Sequence, residues 1–165
     1  ELSKLLSDVD DPVELRIGAN QVTITLSGTE LVTKVVDGKF PDYHRVIPAS
    51  QPRHLKANRQ SVMQALQRAA ILSNEKFRGV RLVMSENTRG IVCNNNEQEE
   101  AADEIEVSYD GDPLDVGFNV TYLLDGLGAL NSEEITLSLG DANSSMLLTS
   151  EGEAGFKYVV MPMRI

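Results

Sequence analysis

The sequence predicts an α+β fold of repeated strand–helix–three-strand units, with the helices on one side of the sheets. Three observations carry this. The order strand, helix, strand, strand, strand runs twice, with Leu55 and Leu114 at matching points. The strand-like runs alternate apolar and polar residues and are separated by turn residues. The run from Gln60 to Ser73 puts Val62, Leu66 and Ala70 on one helical stripe, flanked by Met63 and Ala69.

Taken in order, Glu1 to Asp8 is a short helical stretch with Leu2, Leu5 and Leu6 on one side. "VELRIGA", "QVTITLSG" and "TELVTKVVDG" follow as strands. This first unit lacks an opening strand, so it is expected to be half of a domain whose other half precedes Glu1. "KFPDYHRVIPASQPR", with Pro41, Pro48 and Pro52, is a linker. The second unit is "RHLKAN", the helix "QSVMQALQRAAILS", then "GVRLVMS", "RGIVCNN" and "EIEVSYD". The third is "PLDVGF", the helix "NVTYLLDGLGAL", then "EITLSLG", "SMLLTS" and "FKYVVMP". Repetition at this scale implies that each unit buries its helix on its own sheet and pairs edges with the next. The expected boundaries are 1–42 for the half-domain, 43–52 for the linker and 53–165 for one complete domain.

Charge is unevenly placed. The formal net charge of −10 argues against nucleic acid as a partner. Yet no acid lies between Asp42 and Glu75, a window holding Arg45, Arg53, Lys56, Arg59, Arg68, His44 and His54. From Gly90 to Phe156 there are fifteen acids and no Lys or Arg. Blocks of opposite sign are expected to meet different partners, although each also reads as a solvated face. On the Gln60–Ser73 helix, Gln60, Gln64, Gln67 and Arg68 lie opposite the apolar stripe without a carboxylate, which suits a surface near phosphate.

Catalytic and metal motifs are missing: there is no G-x-G-x-x-G, P-loop, H-E-x-x-H, C-x-x-C or G-x-S-x-G. The acidic run from Glu97 to Glu106 lacks the Asp/Asn alternation and central glycine of a calcium loop. A hydrolase built on His44 and Asp42 has no nucleophile at a defined spacing. No enzyme, cofactor or metal is therefore expected. Cys93, a lone cysteine on an alternating strand, reads as core and suits a reducing cytoplasm. No apolar run reaches membrane-spanning length, and no signal peptide is expected at Glu1.

Five blocks, "LVTKVVDGKFPDYHRVIP", "RAAILSNEKFRGVRL", "NNNEQEEAADEI", "GFNVTYLLDGLGAL" and "YVVMPMRI", resemble the bacterial sliding clamp family, the beta subunits of DNA polymerase III, in order and spacing. The likeness is closest to proteobacterial members. It implies a DNA-clamp fold in which three similar domains per chain, and two chains, form a homodimeric ring around double-stranded DNA. The chain then corresponds to the second half of a middle domain followed by the last domain. An isolated peptide-binding module with no DNA-encircling role is the alternative reading.

The resemblance further implies a cleft where polymerase, clamp-loader and repair proteins insert a linear motif, a Gln followed by Leu and Phe anchors. Its residues would be Pro41, Arg45 and Val46 from the linker, Asn119 and Tyr122 from the last helix, and Ser145. Val159, Val160, Met161, Pro162, Met163 and Arg164 would complete it. Asn143 stands where relatives often carry an apolar residue, and Ile165 replaces a commoner Leu. Ile71 and Leu72 would form an apolar knob of the subunit interface, with Glu97, Glu99, Glu100 and Asp103 as its acidic rim. Gln64 and Arg68 would face DNA, without base readout, since base contacts would pin a sliding protein.

Overall fold

The computed structural model describes residue 4 and residues 11–72, 78–85, 88–94 and 104–164. The chain divides into two compact units, Glu1–Pro41 and Asp42–Ile165. Of the helix expected at Glu1 to Asp8, only Lys4 lies among the described residues, and it is helical.

The first unit is an antiparallel sheet of β1 (Glu14–Ile17), β2 (Gln21–Leu26) and β3 (Thr29–Lys34), in that order. Leu26 pairs with Thr29, so Ser27 and Gly28 alone make the turn. Both have positive φ, 45° and 78°, the twist that a two-residue hairpin requires. The register puts Leu15, Ile17, Val22, Ile24, Leu26 and Leu31 on one face. On that apolar face Leu15 and Ile17 stay 56% and 74% exposed.

The second unit opens with a 3-10 turn at Tyr43–Arg45, then β4 (Arg53–Asn58), helix α1 (Arg59–Leu72), β5 (Gly79–Ser85), β6 (Thr88–Asn94) and β7 (Val107–Asp110). The pattern repeats as β8 (Leu114–Asn119), α2 (Val120–Gly128), β9 (Glu134–Leu139), β10 (Met146–Thr149) and β11 (Tyr158–Val160). Two antiparallel sheets result, β11-β10-β9-β4-β7 and β6-β5-β8. The two helices pack on each other and on the apolar faces of the sheets, giving an α+β architecture.

The strand order corrects one expectation. Each opening strand gives one edge to the other unit: β4 pairs with β9 over six residues while keeping β7 of its own unit on its other edge, and β8 pairs with β5 over six. The reason is local. No residue separates β4 from α1 or β8 from α2, so each helix carries the chain away at once and leaves one edge of its strand to the other unit. The two junctions match in detail. Asn58 Oδ1 accepts from the Ser61 N–H at 3.0 Å, and Asn119 Oδ1 from the Thr121 N–H at 2.9 Å, each capping a helix. The next N–H in each case leaves the helix: Arg59 donates to Glu133 O at 2.7 Å and Val120 to Arg78 O at 2.8 Å. The unit is thus a pseudo-two-fold pair of interlocked repeats. The junctions lie two residues further apart than Leu55 and Leu114, so those two leucines are not equivalent positions.

The core lies between the helices and both sheets. Leu55, Ala65, Phe118 and Met146 are fully buried. The buried stripe of α1 is Val62, Ala65, Leu66 and Ala69, while Ala70 is half-buried at its margin. From α2 come Val120, Leu123, Gly126 and Leu127. Arg59 ties the end of α2 into this frame: its Nε donates to Ser132 O at 2.9 Å and its Nη1 to Leu127 O at 3.2 Å. A cation on last-turn carbonyls satisfies acceptors that the helix itself cannot.

Candidate functional site

The tail is built outward from β11. In β11, Val160 faces inward against Met146 and is 2% exposed, while Val159 pairs with Leu147 on the outer face. The Val160 side chain therefore belongs to the core and offers a ligand only its main chain. Met161 then stands 65% exposed. Pro162 and Met163 are half-buried and Arg164 is exposed. Met163 leaves the five-stranded sheet altogether, and its N–H donates to Gly117 O at 2.9 Å, a single antiparallel bridge to β8. The segment after β11 is a strap between the two sheets.

The start of α2 lies beside that strap. Asn119 follows Gly117 by two residues on β8, and its side-chain Oδ1 is committed to the helix cap. Tyr122, in the first turn, is 55% exposed. Tyr158 of β11 fills the space above Gly126 of α2, where a Cβ would come within 2.7 Å of its ring. Burial pushes the Tyr158 hydroxyl pKa up, and Asp125 and Tyr122 add to the shift. Ser145 precedes β10. Carrying the Met146↔Val160 register one step on sets it across from Met161. Asn119, Tyr122, Ser145 and the strap thus share one corner of the second unit.

The linker residues have a separate local order. Asp42 caps the 3-10 turn, accepting from the His44 N–H at 3.2 Å and pairing with Arg45 at 3.4 Å. The Asp42 carboxylate meets the His44 main chain, and the His44 ring lies against Tyr43, so no acid–base pair for hydrolysis forms there. Val46 is 50% exposed. Among the described residues, no hydrogen bond or ion pair joins this turn to the strap. Pro41 is exposed and falls in the first unit.

Ile71 is 81% exposed at the end of α1. The Leu72 side chain and Glu97, Glu99, Glu100 and Asp103 lie outside the described residues, as does the Cys93 side chain. Gln64 and Arg68 are exposed on α1 and line an open groove with Asn58 and Ser61. Glu104 and Glu106 line the same groove, so this face is less positive than the helix alone suggests. Among the described residues no cluster of His, Cys, Asp or Glu could hold a metal ion, and no helix is long and apolar enough to cross a membrane.

Sequence reasoning missed the residues that secure this corner. Gln51 donates from Nε2 to Ser145 O at 2.7 Å, and Arg53 Nη1 donates to Gly140 O. Both contacts span most of the second unit in sequence, and no local pattern announces them.

Comparison with known proteins matches this architecture along the whole chain. The family model of the DNA polymerase III beta subunit, C-terminal domain, matches residues 44–164, and that of the central domain matches residues 1–42. The chain is 46% identical over 165 residues to the beta sliding clamp of Pseudomonas putida. Among solved structures, a DNA polymerase sliding clamp from Pseudomonas aeruginosa with ligand is similar at TM-score 0.81 and 43% identity. Caulobacter crescentus pol III beta is similar at TM-score 0.83 and 34% identity, and each comparison covers 99% of this chain. The chain spans 45% of the length of the Pseudomonas relatives and 44% of the Caulobacter one. On these matches the chain belongs to the DNA polymerase III beta subunit family.

Proposed function

We propose that this chain is the C-terminal part of a DNA sliding clamp, a non-catalytic processivity factor that needs no cofactor. Residues 1–42 supply the second half of a middle domain, 43–52 a linker, and 53–165 the complete last domain. The observation that carries this is the succession of a central-domain match and a C-terminal-domain match along one chain. The half-domain reading is supported by the exposed apolar residues Leu15 and Ile17, which an absent partner layer would cover.

The strap is the wall of a groove for linear motifs of polymerase, clamp-loader and repair proteins. Met161 and Met163 supply flexible apolar contact, Tyr122 and Asn119 the polar end, and Ser145, Val159 and Arg164 the margins. Arg45 and Val46 contribute from the linker side of the same unit. Methionine suits this role because its unbranched, polarizable side chain repacks around different anchors. In the whole protein, Ile71 and Leu72 form the apolar knob of a homodimeric ring, with Glu97, Glu99, Glu100 and Asp103 beside it. Gln64 and Arg68 face duplex DNA, which is held without regard to sequence. The setting is cytoplasmic.

The test is a titration of a fluorescein-labelled peptide, bearing a glutamine followed by leucine and phenylalanine, with the chain and with a Met161–Ile165 deletion. Withdrawing roughly 100 Å² of apolar contact is worth about 2.5 kcal/mol. The deletion should therefore bind more than tenfold more weakly. Equal binding by the two proteins would refute the groove.

A further inference from the structure

The linker ends against the β9–β10 loop, and the contacts there are specific. Gln51 Nε2 donates to the Ser145 carbonyl at 2.7 Å. Its Oε1 lies 2.6 Å from where a Cβ on Gly140 would stand, so Gly140 gives this side chain its room. Two residues on, Arg53 Nη1 donates to the Gly140 carbonyl, and its Nη2 reaches Asp112 at 3.3 Å. The loop is therefore held by the carbonyls at its two ends, Gly140 and Ser145. Between them the Asp141 carboxylate accepts from the Asn143 N–H at 2.9 Å and the Ser144 hydroxyl at 2.8 Å, which stiffens the turn.

We infer that Gln51 is a positioning residue for the peptide groove, acting through the Ser145 carbonyl to fix the groove's corner opposite Met161. The inference rests on the groove reading given above. Its physical content is directional. Only a donor at this position can hold a carbonyl, and Ser145 is the residue that the β10–β11 register, carried one step past its Met146↔Val160 pair, sets across from the first residue of the strap. When Gln51 releases Ser145, the start of β10 loses its fixed height relative to Met161, and a ligand must order that corner when it binds.

Gln51→Ala and Gln51→Glu test this in the full 165-residue chain, with the same labelled peptide followed by anisotropy and the fold checked by circular dichroism. Gln51→Ala is expected to bind about five- to tenfold more weakly, the scale of one net hydrogen bond. Gln51→Glu separates positioning from general loss of packing. Its carboxylate meets the Ser145 carbonyl acceptor to acceptor, and protonation restores a donor of the same shape. Its deficit against the parent chain should shrink as pH falls from 8 to 5.5, with a carboxyl pKa raised by that contact. Parallel pH profiles, or parent-like binding by Gln51→Ala, would overturn the inference while the tail deletion still reports an intact groove. A parent chain that binds no better than the tail deletion would instead remove the groove, and Gln51's role with it.

Discussion

Helix α2 contains two glycines two residues apart, and they should respond to alanine with opposite signs. Gly128 has nothing within 4 Å of its missing Cβ, and its φ is not among the positive ones. Gly128→Ala should therefore stabilise the second unit by about 0.4–1 kcal/mol, through a less flexible unfolded chain. Gly126 would gain similar helix propensity, but its Cβ would sit 2.7 and 2.8 Å from two ring carbons of Tyr158 and 3.1 Å from Leu148 Cδ2. Relieving that overlap moves either the ring or β11, and overpacking of this kind costs about 1–3 kcal/mol. The Tyr158 ring also stacks at 6.4 Å and 7° on Phe156, which limits its freedom to swing away. The net effect of Gly126→Ala should be a loss of about 0–2 kcal/mol. The two variants should thus differ by roughly 1–3 kcal/mol, or several degrees in melting temperature. Urea and thermal unfolding followed by helical circular dichroism report on this unit, which holds both α1 and α2. If both alanines stabilise equally, Tyr158 does not pack on Gly126 as described and β11 is not braced by α2.

Three further outcomes follow from the same geometry. Asn58→Ala and Asn119→Ala should each cost about 1 kcal/mol in urea unfolding, because each removes one helix cap; a loss at one site only would break the claimed equivalence of the junctions. Asp141 is held below the ordinary aspartate pKa by the Asn143 N–H and then by the Ser144 hydroxyl. Its contribution is complete above the unfolded aspartate pKa and is lost as pH falls through the lower folded value, so Asp141→Asn should flatten acid unfolding in that window. Identical acid limbs for the two proteins would contradict this. Arg81 and Asp115 form a half-exposed ion pair between β5 and β8. Replacing either should cost under about 1 kcal/mol and matter less in high salt, whereas a large, salt-independent loss would mean that the pair is buried.

The parts of the fold legible in the sequence are those set by local rules. "RHLKAN" and "GVRLVMS" coincide with β4 and β5, since alternation and the flanking turn residues act within a few positions. The strand read in "FKYVVMP" is only three residues long, Tyr158–Val160, and beyond it Met163 bridges to β8 instead. The run "EIEVSYD" yields a strand only from Val107, preceded by exposed Glu104 and Glu106 around buried Ile105. What the sequence hides is pairing at a distance. Nothing in the repeat announces that β4 and β8 each pair into the other unit, or that Gln51 meets Ser145 ninety-four residues away. The basic window misleads for the same reason. Arg53 holds Gly140, Lys56 pairs with Glu151 at 2.9 Å, Arg59 caps α2 and Arg45 meets Asp42. Charges that look like one surface in sequence are mostly engaged within the fold.

The pseudo-two-fold also explains the form of the strap. With Asn58 and Asn119 as equivalents, Lys56 corresponds to Gly117, and the Lys56↔Ser108 pair to the Gly117↔Met163 bridge. The strap is therefore the counterpart of β7. Yet β7 covers the edge of β4 with four residue pairs, and the strap meets β8 by one bridge. Pro162 takes the place of Val107, opposite Phe118. Main-chain groups of successive residues point to opposite edges of a strand. Because the Met163 N–H points to β8, the position of Pro162 has its nitrogen on the outer side. The proline therefore removes no hydrogen bond to β8 and withholds one from any strand arriving from outside, the usual place for proline at a sheet edge. Such an edge resists extension into a further sheet while leaving Met161 exposed beside it. On the groove proposed above, a docking segment would therefore be held on this wall mainly by its side chains.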